Sequence, residues 1–432
     1  MLVVGGGIAG MQASLDIADR GLQVYLVERL PSIGGRMAQL DKTFPTMDCS
    51  ICILAPKMIE CMRHPNITLI TCSEVKTVTG STGNFKITIL RNPRFIDPDR
   101  CTGCGVCAEK CPSKVSSEFD MGFGVRKAAY ILFPQAVPRT ALIDKDHCLY
   151  FQKGICRVCE KFCPANAIDF NEKPEEISLE VASIILATGL DLYDPSSISE
   201  YGYKKHKNVL LSLEFERLLN ASGPTHGELT RPSDKEHPRR VVFIQCVGSR
   251  STHKGLPYCS SVCCMYATKE AILVREHSPE CKVCILYMDL RVFGKRFQEF
   301  VSRARNEWGV NYVNGRPSAI FEDPESKDLL IRYQNVADGK MEELLANMVV
   351  LCPALIPKKD NRILAEVMKL EVDEHGFFKT EDPLLKPVET SIPGIFICGY
   401  CQSPKDISES VTQASAAAAK AAEVATNSVK EE

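Results

Sequence analysis

The sequence predicts an α/β protein of two strand–helix–strand nucleotide-binding units, the first interrupted by a smaller, cysteine-rich α+β insert. Three observations predict this. A glycine turn follows the first apolar strand in "MLVVGGGIAGMQASLDIADRGLQVYLVE", two cysteine runs lie between residues 95 and 170, and a second strand–turn–helix pattern starts at "VVFIQCVG". The 432 residues suffice for two or three domains, each with its own core.

Composition narrows the function classes. The 52 basic residues nearly balance 54 acidic ones, which argues against a dedicated nucleic-acid binder. No run of eighteen apolar residues occurs and "MLVVGGG" does not read as a signal peptide, so a soluble, cytoplasmic protein without membrane insertion is expected. Twenty-one cysteines in a long chain without a secretion signal point to metal binding or redox work rather than a disulfide framework. The eight histidines are scattered, which disfavours mixed Cys/His zinc sites.

In the first unit, Gly5, Gly7 and Gly10 fit G-x-G-x-x-G, and Glu28 closes the second strand. Gly5 permits the tight turn, Gly7 admits a pyrophosphate close to the backbone, and Gly10 allows close helix–strand packing. The helix N-terminus then faces the phosphates, and Glu28 can accept hydrogen bonds from a ribose. An ordinary tight βα turn would not require the acidic strand end. Gly34, Gly35 and Arg36 in "ERLPSIGGRMAQ", and Ala187, Thr188 and Gly189 closing "ASIILATG", resemble motifs of the two-dinucleotide-binding flavoproteins, which include thioredoxin and glutathione reductases. That resemblance implies FAD. The third FAD segment of that family has its counterpart in "GIFICGYCQSPKDISESVTQASAAAAKAAEVA", which contains Gly399. Tyr400 stands where the family has an Asp, so the usual ribityl contact is altered. The Ala-rich stretch after Ser408 is a strong helix former whose N-terminus suits negative charge on a reduced flavin; a plain packing helix is the other reading.

The insert carries Cys101, Cys104, Cys107 and Cys111 as C-x2-C-x2-C-x3-C-P, the bacterial ferredoxin run. Cys148, Cys156, Cys159 and Cys163 repeat it with a widened first gap. In that fold the fourth cysteine crosses to the other cluster. One [4Fe–4S] cluster would therefore use Cys101, Cys104, Cys107 and Cys163, and the other Cys148, Cys156, Cys159 and Cys111. A pair of four-cysteine zinc ribbons is the competing reading, and ribbons lack the triple spacing. Residues 191–240, rich in Pro, Ser, His and charge, read as connector and solvated surface.

The second unit is expected to hold strands at "VVFIQCVG", "CKVCILYMDLRV" and "ANMVVLCPALIP", with a helix near 262–275. Where a phosphate-binding glycine turn should follow the first of these, the chain has C-x12-C-x3-C-C: Cys246, Cys259, Cys263 and Cys264. Gly248 and Gly255 are too far apart to make a pyrophosphate cradle. If the first turn is regular, 259 and 263 share a helix face, and four thiolates from a strand end and a helix start can converge on a third [4Fe–4S] cluster. Buried, reduced thiols packing as small hydrophobes are the alternative.

Together, "GGGIAGMQASLDIAD", "PSIGGRMAQLDKTFPTMDCSICILAPKM", the two ferredoxin runs, "QCVGSR…YCSSVCCMYATKEA" and "SVTQASAAAAKAA" resemble the family of A-type subunits of the CoB–CoM heterodisulfide reductases over nearly the whole length. The resemblance implies a thioredoxin-reductase-like flavoprotein with an inserted bacterial-type 2[4Fe–4S] ferredoxin domain, FAD, and a cluster on the C-x12-C-x3-C-C cysteines. It also implies a catalytic Lys269 near the flavin, where a cation favours an anionic reduced state. The implied partners are subunits similar to B and C of the same complexes, a hydrogenase or formate dehydrogenase as electron source, and ferredoxin, in a hetero-oligomer. The implied activity is flavin-based electron transfer, with bifurcation between ferredoxin and a disulfide reduced on another subunit. The expected division is 1–90, 173–238 and 357–432 for FAD (the middle part including the connector), 91–172 for the ferredoxin insert, and 239–356 for a degenerate NAD(P)-type domain. Family members usually carry an extra N-terminal domain and often a C-terminal ferredoxin domain. The chain reads as a short relative, such as the flavin subunit of a quinone-interacting complex, or an incomplete product. An NAD(P)H-dependent flavin reductase resembling a glutamate synthase small subunit and a non-catalytic electron wire are the rival functions. Cys49 and Cys52 pose a separate choice between flavin-coupled dithiol chemistry and packing. Cys281 and Cys284 read as structural.

Overall fold

The structure, a computed structural model, describes residues 1–253 and 255–430, the side chains of 428–430 excepted. The chain forms two compact units: residues 1–38, 51–191 and 357–432 make the first, and 39–50 with 192–356 the second.

In the first unit, short runs of Val, Ile and Leu form a five-stranded sheet ordered Ile395–Ile397, Ile184–Leu186, Leu2–Val4, Val24–Val27, Ile67–Ile70. Every neighbouring pair is parallel. Strands covered on both faces read as unbroken apolar runs, and Leu2, Val3, Leu26 and Ile184 to Leu186 are fully buried. The helix Ile8–Ala18 follows the first strand and packs against Ile407–Lys430, whose Ala414, Ala417, Ala418 and Ala421 present a row of methyl groups with no exposed surface. Side chains this small at i, i+3 and i+4 let the two helices approach closely. Asp406 and Glu409 start the longer helix with a reciprocal capping box: the Asp406 N–H donates to Glu409 Oε2, and the Glu409 N–H to Asp406 Oδ1, both at 2.8 Å. An antiparallel sheet of Ser73–Ser81, Asn84–Arg91 and Glu175–Val181 flanks the insert.

The insert holds three short helices, Val106–Lys110, Leu149–Lys153 and Val158–Lys161, and two strand pairs, Lys114–Ser116 with Val125–Lys127 and Ala129–Tyr130 with Leu142–Ile143. Its core is small: Phe95, Ile96, Ala128, Ala129, Ala141, Ile143, Ala167 and Phe170 surround Cys107, Cys148 and Cys159.

The second unit centres on a seven-stranded sheet ordered Val209–Leu211, Met348–Pro353, Arg240–Val247, Lys282–Tyr287, Asn311–Glu322, Leu329–Asn335, Met341–Ala346. The first five strands are parallel and the last two return as antiparallel hairpins. The expected solvated connector at 191–240 is corrected here. Val209–Leu211 is an edge strand of this sheet, and the helix Ser212–Leu219 after it is buried along all eight residues. The polar flanks conceal a compact apolar run, "NVLLSLEFERLL".

Candidate functional site

The dinucleotide turn is shaped by close backbone approaches. A Cβ on Gly5 (φ +109°) would stand 2.3 Å from the Ala187 carbonyl oxygen, and one on Gly10 would stand 1.8 Å from the Gly5 oxygen. At Gly7, the N-cap of the first helix, a Cβ would meet nothing within 4 Å. Gly5 and Gly10 are thus glycine for packing, while Gly7 leaves open space over a helix N-terminus with no side-chain cap, which suits a phosphate. Gly34 (φ +122°) and Gly35 (φ +56°) turn the following loop back: the Gly34 N–H donates to the Gly6 oxygen at 2.8 Å, and a Cβ on Gly35 would stand 2.9 Å from the Gly7 Cα.

Glu28 Oε2 accepts from the Gly6 N–H at 2.7 Å and Oε1 from the Leu30 N–H at 2.8 Å. Each oxygen keeps a second lone pair for a ribose hydroxyl, and burial raises the carboxyl's pKa. Arg36 Nη2 and Lys358 Nζ both reach Asp191 Oδ1, at 3.0 and 2.6 Å. Ala187 closes its strand by donating to the Val4 oxygen, Thr188 Oγ1 bonds Asn361 Oδ1 at 2.7 Å, and Gly189 (φ +77°) turns away. Gly399 (φ +76°) donates to Gln413 Oε1 at 2.9 Å, and Tyr400 is buried near Phe377. Lys405, absent from the sequence-level candidates, donates to four neutral oxygens (Gly399 O, Gln402 Oε1, Ser403 O and Ser403 Oγ) at 2.9–3.0 Å. Burial lowers its pKa to about 8. Its only sequence signal is its place just before the D-x-x-E capping box.

The cysteines of the insert line two pockets in the crossed pattern. Cys101, Cys104, Cys107 and Cys163 line one of about 340 Å³ including its mouth, with Ile96, Ala141 and Ile168. Cys111, Cys148, Cys156 and Cys159 line another of about 330 Å³, with Ile143 and Phe170. Burial pushes the Cys107 thiol up to about 11 and Cys159 up to about 12, so thiolate formation there calls for a cation. Among the described residues no three His, Cys, Asp or Glu side chains gather tightly enough for a single metal ion. A cubane instead spreads its four sulfur ligands over four irons.

Cys246, Cys259, Cys263 and Cys264 line a third pocket, of about 280 Å³, with Arg250, Asp289 and Arg291. Cys246 (φ +59°) sits where the strand Arg240–Val247 loses register against its neighbour, which turns the residue out of the ladder. Cys263 and Cys264 open the helix Cys263–His277. The shared helix face expected for 259 and 263 is corrected: Cys259 precedes the helix, in a loop bent by Ser261 (φ +65°). Two backbone N–H groups point at sulfur, Ser261 to Cys259 Sγ and Arg291 to Cys264 Sγ, each at 3.4 Å. Burial raises Cys264 to about 11 and drives Cys263 higher still. The donor set, all sulfur with N–H groups and two guanidinium groups around it, fits an anionic iron–sulfur cluster. Arg250, Asp289 and Arg291 escaped the sequence reading, because nothing in "VGSR" or "MDLR" marks a charge as pocket-lining.

Lys269 lies on the same helix, 1% exposed, and is ion-paired with Glu216, itself 2% exposed. Glu216 also accepts from the Asp41 N–H at 2.9 Å. Glu270 is buried beside Glu216, and burial together with that like charge holds its carboxyl well above the ordinary range. Cys49 and Cys52 are disulfide-bonded. Cys61, Cys72, Cys281, Cys284, Cys352, Cys398 and Cys401 are free and buried.

Residues 1–47 match the FAD dependent oxidoreductase family, 94–115 the 4Fe-4S binding domain, and 259–421 the pyridine nucleotide-disulphide oxidoreductases. The structure resembles thioredoxin reductase of Lactococcus lactis (TM-score 0.53, 18% identity, covering 100% of this chain and 99% of that one), which fixes the fold as thioredoxin-reductase-like. In sequence the chain is 52% identical to the A-type iron–sulfur subunit of the CoB–CoM heterodisulfide reductase of Methanocaldococcus jannaschii, over 96% of this chain and 63% of that protein. It is 50% identical to the A-type subunit of the H2/formate:CoB–CoM heterodisulfide, ferredoxin reductase of Methanococcus maripaludis, over 98% and 63%. The chain thus spans less than two thirds of the length of these relatives. A flavin fold carrying ferredoxin cysteines is thus similar, at half identity along almost its entire length, to the A-type subunits of the heterodisulfide reductases.

Proposed function

We propose that this chain is the FAD- and iron–sulfur-containing electron-transfer subunit of a heterodisulfide-reductase-type complex, with three [4Fe–4S] clusters. The observation that carries the reading is the third pocket: four cysteines at a strand end and a helix start, where relatives that use a pyridine nucleotide have a glycine turn. FAD supplies the exchange between two-electron and one-electron steps. The turn shaped by Gly5 and Gly10 would admit its pyrophosphate over Gly7, Glu28 would take a ribose, Arg36 and Lys358 would add positive charge, and the 187–189 and 399 turns would complete the site. Lys269 is the cation proposed to favour a reduced, anionic flavin. Cys101/104/107/163, Cys111/148/156/159 and Cys246/259/263/264 are the three ligand sets.

The Methanococcus maripaludis relative is named for H2, formate and ferredoxin. On that support we place the chain between a hydrogenase or formate dehydrogenase as donor and two outlets, ferredoxin and disulfide-reducing subunits similar to B and C. Bifurcation between the outlets is part of the proposal, as are the five-segment domain division given above and a cytoplasmic setting. No helix among the described residues is long and apolar enough to cross a membrane.

The test is anaerobic reconstitution with iron, sulfide and flavin counted. The expected content is one flavin and about twelve irons per chain, with about four lost in Cys263→Ser. About eight irons in the wild type, together with rapid bleaching of the flavin by NADH or NADPH, would overturn the reading in favour of a pyridine-nucleotide enzyme.

A further inference from the structure

Arg250 and Asp289 stand out among the residues around the third pocket. They are charged, belong to different elements, and have no part in the ligand set. Arg250 (φ +57°) holds a left-handed conformation that a non-glycine residue keeps only when its surroundings impose it. Those surroundings are a folded loop. The Arg250 N–H donates to the Tyr258 oxygen at 3.0 Å, the Ser251 N–H to the Leu256 oxygen at 2.9 Å, and the Leu256 N–H to the Gly248 oxygen at 2.8 Å. The result is a guanidinium facing two ways. It forms an ion pair with Asp289 and lines the same pocket as Cys246. Asp289 is shared: its second oxygen lies 3.8 Å from Arg291 Nε, and the Arg291 backbone N–H points at Cys264.

We propose that Arg250 and Asp289 form an opposed charge pair that sets the reduction potential of the cluster held by Cys246, Cys259, Cys263 and Cys264. The inference rests on the three-cluster reading and goes beyond it by assigning the positioning residues. A cubane on four thiolates gains one negative charge when it takes one electron. The Arg250 guanidinium, whose side chain keeps only 22% of its surface exposed, stabilises that added charge. Asp289, whose side chain is 53% exposed, draws the guanidinium away from sulfur and adds its own negative charge, so it favours the oxidised state. The two residues therefore act with opposite sign on one potential. General damage to the pocket does not produce that pattern.

The test uses the full chain, reconstituted anaerobically and titrated electrochemically with the clusters followed by electron paramagnetic resonance. The third-cluster signal is the one lost in Cys263→Ser, checked against Cys246→Ser. Arg250→Gln is expected to move its midpoint potential to more negative values, and Asp289→Asn to more positive ones. Arg250→Lys should keep most of the wild-type value, and the two ferredoxin-run signals should stay in place. The exposure of Asp289 makes its variant the safer one to fold. Shifts in the same direction, or no shift in a variant that retains its third-cluster signal, overturn the charge pair. A wild type with about eight irons overturns the third cluster itself, so the two failures are distinguishable.

Discussion

Lys269, buried, and Lys405, half-buried, are cations held in opposite ways, and they respond differently to change. Lys269 shares a dry environment with the Glu216 carboxylate. Lys269→Met leaves the Glu216 carboxylate buried without its cation and should cost about 3–5 kcal/mol in urea denaturation. Lys405 donates its hydrogen bonds to neutral oxygens, and burial lowers its pKa from 10.5 to about 8. Between those two values the unfolded chain binds more protons than the folded one, so stability rises with pH across that window and the full penalty applies below about 8. Lys405→Met removes this dependence. The wild type's melting temperature should climb relative to the variant's between pH 8 and 10.5, and parallel curves would refute the assignment. Neither environment is legible in the sequence. A lysine seven residues into a helix reads as solvent-facing, and its partner Glu216 is 53 positions away. By contrast, the cysteine spacing identified all twelve thiols that line the three pockets, because the ligand pattern is local.

At the scale of elements, the first turn separates packing from binding. Gly10→Ala drives a methyl group into the Gly5 carbonyl, and is expected to lower stability and flavin content together. Gly7→Ala meets open space at an extended N-cap, where exchanging Gly for Ala costs about 1 kcal/mol. It should lower the melting temperature of flavin-free protein far less than Gly10→Ala does while weakening FAD retention, read by equilibrium dialysis. The glycine pattern announced this turn because each glycine answers a contact within the same strand–helix–strand unit. The strand Val209–Leu211 and the helix Ser212–Leu219 were missed for the converse reason. Their partner strand, Met348–Pro353, lies some 140 residues later, and the local composition is polar on both sides. The helix Cys263–His277 begins within a residue of the expected start, but the left-handed Ser261 that keeps Cys259 off its face leaves no mark in residue type.

For the whole molecule, stability is unevenly shared. The five-stranded sheet packs on helices rich in enclosed Ala, Leu and Ile on one face and on Phe85, Ile87, Ile89 and Val181 of the antiparallel sheet on the other, whereas the insert has a smaller core built around cysteine sulfur. A core this small, with thiols at its centre, relies on bound metal. Chelating the iron should therefore raise hydrogen exchange across 95–170 by orders of magnitude while the amides of 2–4, 24–27 and 184–186 keep their protection.

The exchange of Cys111 and Cys163 between the two ferredoxin pockets bears on how the protein is made. With the two clusters proposed for the insert, neither run could finish its own centre: each would lend its last thiol to its neighbour and borrow one in return. A chain supplied with too little iron should then divide into molecules holding both centres and molecules holding neither, with few in between. The biosynthetic machinery serving it faces a single all-or-nothing delivery rather than two independent ones.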